Sequence, residues 1–144
     1  MALKYINEIL TTLLLLSSPV MEPEVVEEIE IVEAAEVVEP SYIQVEATFY
    51  TADCIGCLGI TKSGHDVRNT IYAEGKRVIA VDPRLIPLGS IVNVQLEDGQ
   101  EFEAIASDIG SAIKGNIIDV LVSSNKEALQ LGRQKAKVEI INAN

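Results

Sequence analysis

Aromatic and basic residues are scarce in this sequence, and their scarcity limits the ligands that the protein can bind. The chain has no Trp, four Tyr and two Phe, and its 11 Lys and Arg residues face 22 Asp and Glu residues. A protein that binds nucleic acid needs a basic surface for the phosphates, and one that binds single strands also needs aromatic rings for base stacking. The composition therefore gives no footprint for nucleic acid, and we expect no such partner.

Metal and redox ligands are equally few. The only thiols are those of Cys54 and Cys57, and His65 is the single histidine. A structural zinc site takes four such ligands, so we expect no metal. A thioredoxin-type cysteine pair begins a helix within a β-α-β unit, which this sequence lacks. Two interpretations of the cysteines remain: a disulfide within a loop, if the protein is exported, or free structural thiols.

The first 21 residues have the pattern of a leader. A lysine precedes a short apolar run that is too short to span a bilayer comfortably, as is typical of a secretion signal. A glutamate beside the run and the lack of a clean A-x-A cleavage site leave an amphipathic leader helix as the alternative. We expect membrane contact only through this leader.

An acidic segment follows the leader. Residues 22–40 hold eight Glu and no Lys or Arg, and prolines stand at positions 19, 23 and 40. Like charges three or four positions apart repel one another on a helix. We therefore interpret 22–40 as a solvated linker that spaces the next domain from the leader. That domain, 41–144, is nearly neutral, with 13 acidic and 10 basic residues.

Residues 41–144 have the alternation of a β-rich domain. From Tyr42 to Tyr50, apolar and polar residues alternate with period two, which predicts a strand with one buried face. Further strands are predicted near 77–81, 90–96, 101–107, 117–122 and 136–141. Only 124–132 has a helical pattern. Because no helices alternate with the six strands, the sequence predicts an all-β fold, a small closed barrel with one short helix.

Three ordered motifs carry a resemblance to a known family. They are YTADCIGCLGIT at 50–61, AVDPRLIPLGS at 80–90 and SDIGSAIKGNIIDV at 107–120. Together they resemble the 3D, or three-aspartate, domain over residues 46–141. The resemblance implies a six-stranded double-psi β-barrel, as in membrane-bound lytic transglycosylase A and in stationary-phase cell-wall proteins of Gram-positive bacteria. The family's three aspartates fall on Asp82, Asp108 and Asp119.

The implied activity is cleavage of peptidoglycan without water. The bond between N-acetylmuramic acid and N-acetylglucosamine breaks, and the muramic C6 hydroxyl closes on C1 to give a 1,6-anhydro sugar. The implied partner is the glycan strand, and no cofactor is implied because carboxyl groups can make the proton transfers. We assign Asp119, whose apolar neighbours raise a carboxyl pKa, as general acid and then base. Asp108 is its partner, and Asp82 is either catalytic or a cap on loop amides.

Other polar residues of the motifs are predicted to bind the substrate. These residues are Thr48, Tyr50, Thr61, Lys114, Gly110 and Ser111. Hydroxyls and a ring suit a sugar groove, a lysine suits a substrate carboxylate, and a glycine lets the backbone approach a ligand closely. The family usually has Thr and Gly where this chain has Ile109 and Ser111, so a lost orienting hydroxyl would lower activity.

A barrel of this family need not be an enzyme. The alternative is a module that binds peptidoglycan without cutting it, or a structural envelope component. We expect a monomer at the cell envelope or outside the cell, encoded by a bacterium or by a phage. Geometry separates these functions: Asp108 and Asp119 together in an open groove favour catalysis, whereas aspartates engaged by backbone amides favour a structural role.

Overall fold

The computed structural model describes residues 19–21, 23–24 and 39–144. Most of the predicted leader and most of the predicted linker lie outside these residues, so the division of the chain at residues 21 and 40 stays a prediction. The described elements are β1 (Tyr42–Tyr50), β2 (Tyr72–Ala73), β3 (Lys76–Ala80), β4 (Ile91–Leu96), β5 (Glu101–Asp108), β6 (Ile117–Leu121), α1 (Asn125–Leu131) and β7 (Gln134–Asn142). Within the described ranges, no helix combines the length and the apolar character that crossing a membrane requires.

Six of the strands form a closed ring. Their order is β3-β5-β4-β7-β1-β6, and β6 pairs again with β3. β1 runs parallel to β6 and β3 runs parallel to β5, whereas the other four pairs of the ring are antiparallel. The predicted fold class is therefore confirmed: the domain is a six-stranded double-psi β-barrel with one short helix in its described part. The two-residue strand β2 pairs with β3 outside the ring.

The interior of the barrel is apolar and contains several small side chains. Six strands enclose little space, so β1, β5 and β7 each contribute alanine to it. The main interior residues are Val45, Ala47, Ile79, Val92, Val94, Ala104, Ala106, Ile118, Val120, Ala136 and Val138. Because successive side chains of a strand point to opposite faces, Thr48 and Asp119 lie on the outer surface.

A second apolar cluster covers part of that outer surface. Residues 51–75, which connect β1 to β3, place Val67 against Ile105 and Leu121, and the ring of Tyr50 packs at the edge. Burial on both faces explains why Ile105 and Leu121 are apolar although they alternate with interior residues. The connection thus forms a wall beside the end of β1.

The helix α1 has defined caps. The Oγ of Ser124 accepts a 3.2 Å hydrogen bond from the backbone N–H of Glu127, as an N-cap does. At the other end, Gly132 has a φ of 59° and donates its N–H to the carbonyl of Ala128. The helix predicted over 124–132 is therefore confirmed.

Candidate functional site

The structure brings two of the three predicted aspartates to one part of the outer surface. β3 lies between β5 and β6, and its residue Ala80 pairs with Asp108 on one side and with Asp119 on the other. Adjacent strands are about 4.8 Å apart, so about two strand spacings separate the backbones of the two aspartates. The charges of both carboxyls raise the pKa of the Tyr50 phenol. The two carboxyls therefore lie in one candidate site.

A β-bulge turns Asp108 toward this site. Ala106 points into the barrel, so strict alternation would send the side chain two residues later into the barrel as well. The pairing of β3 with β5 instead shifts between Ile79 and Ala80, which leaves Ser107 as an extra residue. A bulge of this kind re-aims the side chain that follows it. Asp108 therefore lies half-buried at the surface rather than in the core.

Three donors hold the carboxylate of Asp108. Its Oδ1 accepts hydrogen bonds from the backbone N–H groups of Lys62 (3.0 Å) and Ile109 (2.9 Å), and its Oδ2 accepts one from the hydroxyl of Tyr50 (3.3 Å). Two of these three donors are backbone amides, the kind of contact that we associated with a structural role, and the third is a side-chain hydroxyl. The contact from position 109 comes from the backbone, so it does not depend on the Thr that the family usually has there.

Asp119 is half-buried beside β1. Its Oδ1 accepts a 2.8 Å hydrogen bond from the hydroxyl of Thr48, its partner on the parallel strand. Burial raises the pKa of the Asp119 carboxyl, and the charge of Asp108 raises it further. The hydrogen bond from Thr48 and the charge of Arg133 lower it, but the net shift is upward. A carboxyl with a raised pKa can keep its proton closer to neutral pH and donate it.

Tyr50 contacts the carboxyl of Asp108 and lies near that of Asp119. Burial raises the pKa of its phenol, and the charge and the hydrogen bond of Asp108, together with the charge of Asp119, raise it further. The phenol therefore keeps its proton and serves as a donor. We predicted that Thr48 and Tyr50 contact sugar, but the structure shows that each of their hydroxyls contacts a carboxyl. Sequence alone had no signal for these contacts, since the partners lie 71 and 58 positions apart.

Asp82 is placed in a different environment. It is 3% exposed, and its carboxylate accepts hydrogen bonds from the backbone N–H, the Nε and the Nη2 of Arg84 and from the backbone N–H of Gly115, at 2.7 to 3.0 Å. The contacts with Arg84 and then with Gly115 lower the pKa of Asp82 well below its ordinary value. This is the geometry of the loop-amide cap, one of the two roles that the sequence left open.

Thr61 differs from its predicted place. It is 4% exposed, and its hydroxyl is 2.8 Å from the Oγ of Ser107 and accepts a 3.0 Å hydrogen bond from the backbone N–H of His65. A buried hydroxyl with two partners does not line a groove for sugar. Thr61 belongs instead to a network behind Asp108 that the sequence did not indicate.

The other predicted binding residues follow β5. Ser111 and Lys114 are exposed. A Cβ added to Gly110 would lie 2.8 Å from the Cγ1 of Ile113, so the close approach that needs glycine here is to this side chain. Gly115 has a φ of 65°, which favours glycine, and it uses its N–H to hold Asp82.

Two cavities share lining residues on this side of the barrel, and one of them is lined by Asp108. The nearer cavity, of about 240 Å³, is lined by Asp108 and by residues 56–60. The second, of about 500 Å³, shares Ala52 and Val67 with the first and extends to Tyr72. The two cavities together are named here the Tyr72 groove; Asp119 lines neither of them.

A disulfide closes the loop that borders the nearer cavity. Cys54 and Cys57 are bonded, with their Cα atoms 5.2 Å apart, and the N–H of Cys57 donates to the carbonyl of Cys54 at 2.9 Å. Of the two interpretations of these cysteines, the structure has the disulfide within a loop. Because Cys57 also lines the cavity, the disulfide restricts one rim of the Tyr72 groove. In the ranges that the structure covers, no group of three or more His, Cys, Asp or Glu is arranged to hold a metal ion.

A family comparison agrees with this arrangement of motifs. Residues 77–142, which contain all three aspartates, match the family described as the 3D domain. Residues 77–142 thus form a 3D domain, which confirms the family resemblance for the second and third motifs; the first motif, at 50–61, lies outside the match.

Two proteins of Bacillus subtilis (strain 168) are similar to this chain. The chain is 52% identical over 96 residues to the SPbeta prophage-derived uncharacterized protein YorM, covering 66% of this chain and 40% of that protein. It is 44% identical over 100 residues to the cell wall-binding protein YocH, covering 69% of this chain and 32% of that protein. The chain thus spans less than half the length of these relatives.

A solved structure also aligns with the 3D domain. The lytic transglycosylase LtgG of Burkholderia pseudomallei is 28% identical, with a TM-score of 0.45, over 59% of this chain and 27% of that chain. The fold assignment rests on the closed strand order and the two parallel pairs of this barrel.

Proposed function

We propose that the 3D domain of this chain is a lytic transglycosylase that cleaves the glycan strands of peptidoglycan. One observation carries the proposal: Asp108 and Asp119 flank Ala80 on the same surface, and burial raises the pKa of the Asp119 carboxyl. Glycosidic cleavage uses a pair of carboxyls, one of which must hold a proton to donate. The similarity to YocH, a cell wall-binding protein, supports the same substrate and a place at the cell envelope.

In the proposed reaction, Asp119 begins protonated. It donates its proton to the oxygen between N-acetylmuramic acid and N-acetylglucosamine, and the bond from muramic C1 to that oxygen breaks. Positive charge develops at C1, and the Asp108 carboxylate stabilises it. The ionised Asp119 then takes the proton of the muramic C6 hydroxyl while O6 bonds to C1. The 1,6-anhydro sugar is released, Asp119 is again protonated, and no water is consumed.

Thr48 and Tyr50 orient the two carboxyls in this scheme. Thr48 binds Oδ1 of Asp119. No described residue hydrogen-bonds to Oδ2 of Asp119, so we propose that this oxygen meets the substrate. Tyr50 fixes Oδ2 of Asp108. Both hydroxyls come from one face of β1, because residues two apart on a strand point the same way.

The Tyr72 groove is the place that we propose for the rest of the glycan strand. A polymer of sugars needs a binding surface longer than the reacting bond, and the two cavities of the groove, which share Ala52 and Val67, include Asp108 in one and Tyr72 in the other. Tyr72 is 52% exposed there and offers a ring face to a sugar.

The test compares wild-type chain with Asp119→Asn on peptidoglycan sacculi, with mass spectrometry of the soluble products. We expect the wild type to release anhydro-muropeptides and the variant to release them at least about 100-fold more slowly. Asp98→Asn makes the same chemical change in the β4–β5 hairpin and serves as the control. If wild type releases nothing while wild type and variant both co-sediment with sacculi, the protein is a glycan-binding module and the aspartates are sugar or backbone ligands.

A further inference from the structure

A hydrogen-bonded network lies directly behind Asp108 and is not used by the proposed reaction. The Oγ of Ser107 is 2.8 Å from the Oγ1 of Thr61 and 2.7 Å from the Nδ1 of His65, and the Nε2 of His65 is 3.3 Å from the Oε1 of Glu74. A serine, a histidine and a glutamate in this order are similar to a hydrolase triad. Ser107 is 0% exposed, however, so it is no accessible nucleophile.

With a neutral imidazole at His65, the donors and acceptors of this network have one consistent order. Thr61 accepts from the backbone N–H of His65, so its own hydroxyl hydrogen is free for Ser107. The Glu74 carboxylate only accepts, so the neutral imidazole carries its proton on Nε2 and accepts through Nδ1. The Ser107 hydroxyl therefore accepts from Thr61 and donates to His65, and both of its bonds are used.

The same turn also holds the backbone of the β-bulge. The N–H of Ser63 donates to the carbonyl of Ser107 at 2.9 Å, and the N–H of Lys62 donates to Oδ1 of Asp108 at 3.0 Å. Residues 61–65 thus bind the side chain and the carbonyl of the bulged residue, and they bind one oxygen of the carboxylate that follows it. The bulge is the feature that turns Asp108 out of the barrel.

We propose that His65 is a positioning residue for Asp108 and acts through Ser107. By fixing the hydroxyl of the bulged residue, the imidazole holds the backbone that aims the carboxylate at the reaction site. His65 itself contacts neither of the two carboxyls. The inference rests on the proposed transglycosylase function and adds to it a residue outside the reacting groups.

The first test compares His65→Ala with His65→Asn on soluble, uncross-linked peptidoglycan strands. The Oδ1 of Asn can still accept from Ser107 but cannot reach Glu74, whereas Ala loses both contacts. Because a displacement of about 1 Å at a reacting group can cost about 100-fold in rate, we expect kcat of His65→Ala to fall at least about tenfold with KM within about twofold. We expect His65→Asn to recover most of that kcat. Equal losses in both variants, or a change in KM alone, would overturn the proposal.

A double-variant cycle tests whether His65 acts through Ser107. Ser107→Ala should lower kcat about as much as His65→Ala, and the double variant should be no slower than either single one, because both remove the same contact. Additive losses in kcat would mean that the two residues act independently, against the proposal. Thermal melts of each variant identify loss of folding, and Ser107→Ala replaces His65→Ala if the latter does not fold.

An NMR comparison gives a readout that does not depend on catalysis. The amide protons of Lys62 and Ile109 donate to Asp108 and report on its place. We expect His65→Ala to shift both resonances and His65→Asn to leave them near wild-type values; two unmoved resonances would contradict the inference. If wild type releases no anhydro product, the proposed function has failed, and this comparison still decides whether His65 positions Asp108.

Discussion

The hydroxyl of Thr48 donates a 2.8 Å hydrogen bond to Oδ1 of Asp119 from the neighbouring parallel strand. A donor to a carboxyl favours its ionised form, so this contact lowers the pKa that burial raises. The balance of the two effects sets the pH range in which Asp119 holds a proton. β1 and β6 must therefore stay in register for the proposed acid to be correctly tuned.

Thr48→Val should move the pH dependence of activity. Valine keeps the shape of threonine and removes the donor, so the pKa of Asp119 should rise further. The proposed acid loses activity as it loses its proton, and the high-pH limb of kcat/KM should shift to higher pH than in wild type. Profiles of anhydro-product release against pH measure this shift. A limb that moves to lower pH would contradict the assignment of Asp119 as the acid.

Asp119→Asn should stabilise the fold at neutral pH. The pKa of Asp119 is higher in the folded than in the unfolded protein. The stability that the protonated carboxyl contributes is therefore fully present below the unfolded pKa, and it is lost as pH rises through the folded pKa. Asn stays neutral at every pH and can still accept from Thr48. We expect the Tm of the variant to exceed that of wild type by a few degrees near pH 7 and the difference to narrow near pH 3. A lower Tm for the variant at neutral pH would refute this reading of the site.

Tyr50→Phe should slow the reaction without unfolding the barrel. The change removes the hydroxyl that donates to Asp108 and keeps the ring in the outer apolar cluster. Because Asp108 loses a donor that fixes its Oδ2, its carboxylate is less well placed at the reaction site, and we expect the initial rate to fall about tenfold. Tyr42→Phe removes the same hydroxyl group at the start of β1 and is the matched control. Equal rates for the two variants would show that the phenol of Tyr50 is not needed.

Asp82→Asn should affect stability more than chemistry. The lowered pKa of Asp82 means that its contribution to stability is present above the unfolded pKa and is lost as pH falls through the folded value. The variant should therefore have a lower Tm than wild type at neutral pH, with a smaller difference in acid. The activity of its folded fraction should fall far less than that of Asp119→Asn. A variant with wild-type Tm and no product release would instead make Asp82 a catalytic member of the family's triad.

The sequence determined the barrel and its family because those features are local or ordered along the chain. The period-two pattern from Tyr42 to Tyr50 predicted β1 with the bounds that the structure gives, and the 124–132 pattern predicted α1. Spaced motifs located all three aspartates, since each motif is continuous in sequence. The disulfide was one of two interpretations that two cysteines three positions apart allowed.

The tertiary structure alone decided which of these residues meet. Asp108 faces the site because Ser107 is bulged out of register with β3, and alternation by itself would have sent its side chain inward. Tyr50 and Asp108 are 58 positions apart, and only closure of the barrel makes their side chains neighbours. Asp82, equally prominent in the motifs, instead accepts hydrogen bonds from Arg84 and Gly115. Sequence periodicity specifies the face of a residue, whereas strand register and bulges specify its partners, and partners decide the chemistry.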